Sequence, residues 1–168
     1  MSDVLNDPQA WFLRCESLLE QCRSLQLATL DEEGFPHISY APYLFDEGVL
    51  YIFISQLASH TQHLLGHSAV SLMVIKDESL SKNLFARERL LMKAIAAQII
   101  DTEERERLLD AMQQRLGNTI SVLRTLPDFV LMSLTPKSAR YVAGFGKAVE
   151  LEFESKQSKS LGVKSEGS

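Results

Sequence analysis

The hydrophobic period of this chain changes at Leu25, and that change constrains the fold more than any other feature. Ahead of it, Trp11, Cys15, Leu18, Leu19 and Cys22 recur at offsets of three and four, one apolar helical stripe with Arg14, Glu20 and Gln21 facing away. Asp7-Pro8 supplies a start, a carboxylate able to cap free amides and a proline whose missing N–H costs nothing in a first turn. From Leu25 the period falls to two, in runs rich in branched and aromatic residues at Leu25–Leu30, His37–Leu44, Val49–Ser55 and Ala69–Ile75. Asp31-Glu32-Glu33-Gly34 and Asp46-Glu47-Gly48 are short acidic connections ending in glycine, as hairpin loops with a positive-φ residue require. The first half reads as antiparallel sheet, its first three strands a meander.

Periodicity leaves Arg89–Ile100 open between strand and helix, and it is assigned as strand. Asp101-Thr102-Glu103-Glu104 then offers a capping carboxylate ahead of a stripe of Leu108, Leu109, Met112 and Leu116 that stops at Gly117. Two further strands, Phe129–Leu134 and Ser138–Ala143, are joined by Thr135-Pro136-Lys137, and a last one follows Gly144-Phe145-Gly146. About six antiparallel strands with helices at the start, middle and crossover predict a small barrel wrapped by helices, because closure removes exposed edges. The domain spans residues 1–153; residues 154–168, with five serines, three lysines and only Leu161 and Val163 apolar, are expected to form a flexible tail.

At 168 residues, 45% hydrophobic and 23% charged, the chain suits one globular domain and excludes global disorder. Seventeen basic against 22 acidic residues leave a net charge of −5, which argues against non-specific nucleic-acid binding. No apolar run approaches the roughly eighteen residues of a membrane span, and Met1–Asp7 lacks the features of a secretory signal, so a cytoplasmic protein is expected. Cys15 and Cys22 fall seven positions apart on one helix, roughly 10 Å along its axis and too far to bridge. They are expected to be reduced, buried thiols.

Candidate chemistry gathers first at Ser55-Gln56-Leu57-Ala58-Ser59-His60-Thr61-Gln62, which leaves a strand and enters a helix with Ser59 and Gln62 in capping-box spacing. A helix start surrounded by hydroxyls and an imidazole suits an anion, although an ordinary capped helix has the same pattern. His60, His63 and His67 share one helical spacing, but no carboxylate or thiol in the segment completes a metal shell, so surface or interface histidines are expected and no metal site is assigned. Arg87 and Arg89, spaced to face one side of the sheet, suit bidentate anion binding or pairing with local acids such as Glu88 or Asp77. Asp128, entering an apolar strand after Pro127, is either a partly desolvated carboxylate with a specific donor or a simple turn residue. Gly144-Phe145-Gly146 lacks the third glycine and following helix of a dinucleotide fingerprint and reads as a barrel bend. No nucleophile elbow occurs.

The order of the motifs resembles a known family. Leu25 to Asp31, Gly34-Phe35-Pro36, Ser39-Tyr40-Ala41-Pro42, Ile54-Ser55, Leu57-Ala58 and His60 look like the pyridoxamine 5'-phosphate oxidase-related FMN-binding split barrel. Phe85 to Leu90, Asp128-Phe129 and Gly144 to Ala148 narrow the likeness to its haem-utilisation (HugZ/HutZ-like) branch, over about Leu25–Ala148. The resemblance implies a mainly β fold, a six-stranded antiparallel split β-barrel with flanking helices, forming a homodimer with cofactor sites in two interface clefts. It implies that Ser55, Gln56, Ser59, His60 and Thr61 hold an FMN phosphate, with Arg87 or Arg89 assisting, and that Thr29 and Asp128 line the cleft, Asp128 as the candidate catalytic residue. Around His37–Tyr43 the phosphate-binding basic pattern of true pyridoxamine phosphate oxidases is absent, and Ser59-His60 stands where they carry Ser-Arg-Lys, so that activity is not expected. Haem-utilisation members use an axial histidine from the C-terminal segment; here the last histidine is His67.

The expectation is therefore a cytoplasmic homodimer that binds FMN or haem and takes part in redox or haem-utilisation chemistry. A non-catalytic flavin or haem carrier is the competing expectation, and a cofactor-free structural dimer a third.

Overall fold

The computed structural model describes residues 8–144, 146–153 and 161–164. Helix α1 (Pro8–Gln21) precedes β1 (Ser24–Leu30), β2 (Pro36–Pro42), β3 (Leu44–Asp46) and β4 (Val49–Ser55). Helix α2 (Ser59–Gly66) leads to β5 (Ala69–Ile75), two short 3₁₀ turns and β6 (Arg89–Gln98). Helices α3 (Thr102–Leu116) and α4 (Thr119–Leu123) precede β7 (Phe129–Gly144), β8 (Lys147–Phe153) and β9 (Leu161–Lys164). The first helix and the strands at 49–55 and 69–75 agree with the sequence; the Asp7 cap lies outside the described residues. Every strand pairing is antiparallel.

The sheet runs β2-β1-β5-β6-β7-β4-β3, a curled half-barrel of seven strands rather than six, with β8 and β9 branching from β7. The expected meander does not form. β1 and β2 are a hairpin, its loop held by the Asp31 carboxylate accepting from Glu33 and Phe35 N–H. The chain then turns at Tyr43, whose N–H donates to Arg23 O and whose phenol donates to Leu19 O. β3 and β4 form a separate hairpin at the far side of the sheet, with Glu47 and Gly48 both at positive φ. Period-two patterning reports faces and not neighbours, which is why the sequence could not place β4.

Thr135-Pro136-Lys137 does not divide two strands either. β7 is one strand of 16 residues, paired along one side with β6 and on the other first with β4, then with β8. The register slips at Pro136–Ser138, opposite Lys93 and Ala94, and a bulge accommodates a proline that has no ladder donor. The branch happens there, which splits the barrel. Within the expected tail, Leu161–Lys164 pairs with β8; residues 154–160 and 165–168 lie outside the described residues.

Two cores result. Trp11, Cys15, Leu18 and Leu19 of α1 pack with Leu25, Leu72, Leu90 and Tyr141 inside the curl. Leu108, Leu109 and Met112 of α3 and Ile120 of α4 pack on the opposite face against Tyr51, Phe53 and Leu131. β4 is therefore covered on both faces, which explains its unbroken apolar run.

Candidate functional site

One end of the half-barrel is closed by α2, and Thr29, Ser55, Gln56, His60, Thr61 and Asp128 of the side chains singled out in the sequence gather there. Ser55 ends β4. Its hydroxyl accepts from Leu57 N–H at 3.1 Å and so directs its own proton to Asp128 Oδ2, 2.5 Å away. Gln56 N–H donates to Asp128 O at 2.7 Å, a second tie between turn and strand. The expected specific donor to Asp128 is thus Ser55. Thr61, buried, donates its hydroxyl to Ser55 O at 2.6 Å and closes the turn on itself.

The Ser59–Gln62 capping box does not form. Helix α2 takes Ala58 as its N-cap, with no side-chain cap bond, and Gln62 instead donates to Gln56 O. The turn's own backbone has placed Ser59 one residue inside the helix, where its hydroxyl cannot reach the free amides as a cap does.

The histidines separate by function of position. Thr29, buried, faces inward on β1 beside His37 of β2, and its hydroxyl lies 2.9 Å from His63 Nδ1. The His37 and His63 rings meet edge to face at 5.1 Å between centroids. His67 caps the C-terminus of α2 and is exposed. His60 is half-buried, with no hydrogen bond to its ring among the described residues. Burial, then the nearby His37 and His63, hold its pKa below the ordinary imidazole value. Among the described residues no group of three or more histidine, cysteine or acidic side chains is arranged to hold a metal ion.

His60 lines a groove of about 490 Å³ that the sequence did not reveal. The groove is the open seam of the half-barrel. Among the described residues β3 pairs with Val49–Tyr51 of β4 and β2 pairs with β1 alone, so the later part of β4, on the edge turned away from β7, and the outer edge of β2 carry no strand partner. Tyr40, Pro42, Phe53 and Ser55 come from these edges, Met112 and Ile120 from the helices beyond, and Phe129 from β7. Arg23 supplies the cation. Periodicity could not have found it, because the walls come from five separate stretches of sequence; the isolated Arg23 just ahead of β1 was the nearest signal.

Arg87 and Arg89 are not brought to this turn within one chain. Arg87 donates to Lys76 O at 2.6 Å and pairs with Glu78, while Arg89 donates to Arg87 O at 2.8 Å. The expected pairing with a local acid holds for Arg87 through Glu78, while Glu88 binds Lys76 and the Tyr141 phenol. Arg89 pairs across from Val142, whereas Ser55 pairs across from Phe129, thirteen positions along β7. That separation is on the order of 40 Å of strand.

Residues 14–143 match the pyridoxamine 5'-phosphate oxidase family. The chain belongs to that family. Within it, the chain is 38% identical over 133 residues to the haem oxygenase HutZ of Vibrio cholerae, covering 79% of this chain and 76% of that protein. The crystal structure of HutZ, described as the haem storage protein of Vibrio cholerae, superposes with a TM-score of 0.70 at 36% identity, over 74% of this chain and 88% of that one. Campylobacter jejuni ChuZ superposes with a TM-score of 0.82 at 25% identity, over 89% of this chain and 62% of that one. These relatives place the chain in the haem-utilisation branch of the pyridoxamine 5'-phosphate oxidase family, with the split-barrel fold that the motifs implied.

Proposed function

We propose that this protein binds haem in the seam groove, as a homodimer, and serves oxidative haem utilisation. The likeness to HutZ over 133 residues carries this reading. The groove fits the group: aromatic and aliphatic walls suit a flat apolar macrocycle, Arg23 suits a carboxylate, and His60 offers an unclaimed imidazole. Bound haem would supply the redox chemistry, and the protein its binding and orientation. Ser55 and Asp128 line the same turn, where a carboxylate oriented by one hydroxyl could accept or hold a proton. The FMN alternative has weaker support within one chain, since Arg87 and Arg89 sit at the other end of the sheet.

A homodimer suits the uncovered outer face of β2-β1-β5-β6. Ile38 and Tyr40 are 74% and 59% exposed there, beside small residues such as Ala28 and Ser71. An exposed sheet face with large apolar side chains marks an association surface. No helix among the described residues is long and apolar enough to cross a membrane. The free thiols Cys15 and Cys22 are in keeping with a reducing, cytoplasmic setting.

Titration of the purified protein with haemin and, separately, with FMN tests the proposal. Saturable haemin uptake with a sharp Soret band supports it; saturable FMN uptake alone would replace it with a flavin oxidoreductase, and uptake of neither would leave a structural dimer. Loss of the Soret band with ascorbate and oxygen separates turnover from carriage. Both readings have a counterpart among relatives, since HutZ is described as a haem oxygenase and as a haem storage protein.

A further inference from the structure

We infer that His60 is the iron ligand of the seam groove, an assignment that rests on the haem reading above. The sequence holds four histidines, and three of them are not among the residues that line the groove: His63 meets the Thr29 hydroxyl through Nδ1, His37 packs edge-on against the His63 ring, and His67 lies exposed at the end of α2. His60 alone of the four lines the groove, and no hydrogen bond among the described residues claims either of its ring nitrogens.

The other candidate donors are less suited. Cys15 is sealed in the core beneath α1, and the Cys22 thiol is directed at Ile75 O. Tyr43 and Tyr141 are buried phenols bonded to Leu19 O and Glu88. Tyr40 and Met112 remain, since both line the groove with His60 and both side-chain types ligate haem iron elsewhere. They are the competitors that an experiment must separate. The position of His60 is fixed by the turn ahead of it: Ser55 bonded to Asp128, and Thr61 bonded back to Ser55 O, set the start of α2 relative to β4 and β7. Ser55 and Asp128 would then act as positioning residues for the ligand.

Resonance Raman and electron paramagnetic resonance spectra of the full-length haemin complex test this, in the unaltered protein and in His60→Gly, His63→Ala, Tyr40→Phe and Met112→Leu. The unaltered complex should show a histidine-ligated signature. His60→Gly should lose it and regain it on addition of imidazole, while the other three variants keep it. Circular dichroism of each variant confirms that the fold is retained. An unchanged signature in His60→Gly, loss of haemin uptake that imidazole does not restore, or a change that follows Tyr40→Phe, Met112→Leu or His63→Ala instead, would overturn the assignment. Failure of the unaltered protein to take up haemin overturns the haem reading itself, and a saturable complex without histidine ligation overturns only the ligand.

Discussion

Ser55 Oγ lies 2.5 Å from Asp128 Oδ2, across 73 residues of sequence, and this contact locks the turn that precedes α2 onto the start of β7. A hydrogen bond to a carboxylate is worth about 1.5–3 kcal/mol. Ser55→Ala and Asp128→Ala should each destabilise the protein, and the double variant should lose less than their sum, with a coupling of about 1–2 kcal/mol. Urea unfolding of the four proteins measures the cycle; additive losses would show that the pair does not act as a unit.

Thr29→Val keeps the shape of a buried side chain but leaves His63 Nδ1 without its partner. The expected loss is about 1–2 kcal/mol, while Thr29→Ser, which retains the hydroxyl, should lose less. Denaturant midpoints rank the two, and the ring resonances of His63 should shift in the valine variant alone.

Arg115 of α3 joins the helical layer to the first helix. Its Nη2 donates to Leu19 O at 2.8 Å and to Cys22 O at 2.7 Å, and its guanidinium lies 5.5 Å from the Tyr43 ring centroid. α1 has no basic residue in its last turn, so Arg115 supplies from outside the cation that a helix C-terminus favours. Arg115→Met should cost about 2 kcal/mol and raise amide hydrogen exchange selectively over the last turn of α1. Uniform exchange across the protein would argue against this local role.

Burial, reinforced by Glu88 and Glu16, pushes the Cys15 thiol up to about 12 from its ordinary 9.0. A group whose folded pKa is raised contributes stability that is intact below its unfolded value and is lost as pH rises toward the folded one. Stability should therefore decline between about pH 9 and 12, with a shallower slope in Cys15→Ala. At pH 8 a thiol reagent should reach the partly buried Cys22 first and Cys15 only on unfolding. Equal labelling rates would contradict the burial of Cys15.

The local signals in the sequence were those where chemistry and backbone act over a few residues. Asp101 does cap α3 through Glu104 N–H, and Gly117 does end it at positive φ. Long-range relationships were not legible. The β4 hairpin landed across the sheet, and Pro136 sat in a bulge within a single long strand, because period-two patterning is blind to partners. α4 was missed, since five residues give no periodicity to read. At the site, the family resemblance pointed to Ser55, His60, Thr61, Thr29 and Asp128 as cofactor or cleft residues, and the fold brings them together around α2. It left the groove unseen, since Arg23, Tyr40, Phe53 and Met112 converge only when the curled sheet leaves its seam open.

Sedimentation velocity of the haemin-loaded protein, followed at the Soret wavelength and at 280 nm, tests the proposed dimer and the proposed haem binding together. One boundary at the mass of two chains is expected, carrying Soret absorbance in a fixed ratio to protein. Soret absorbance that sediments apart from the protein, or a boundary at the mass of one chain, would contradict it.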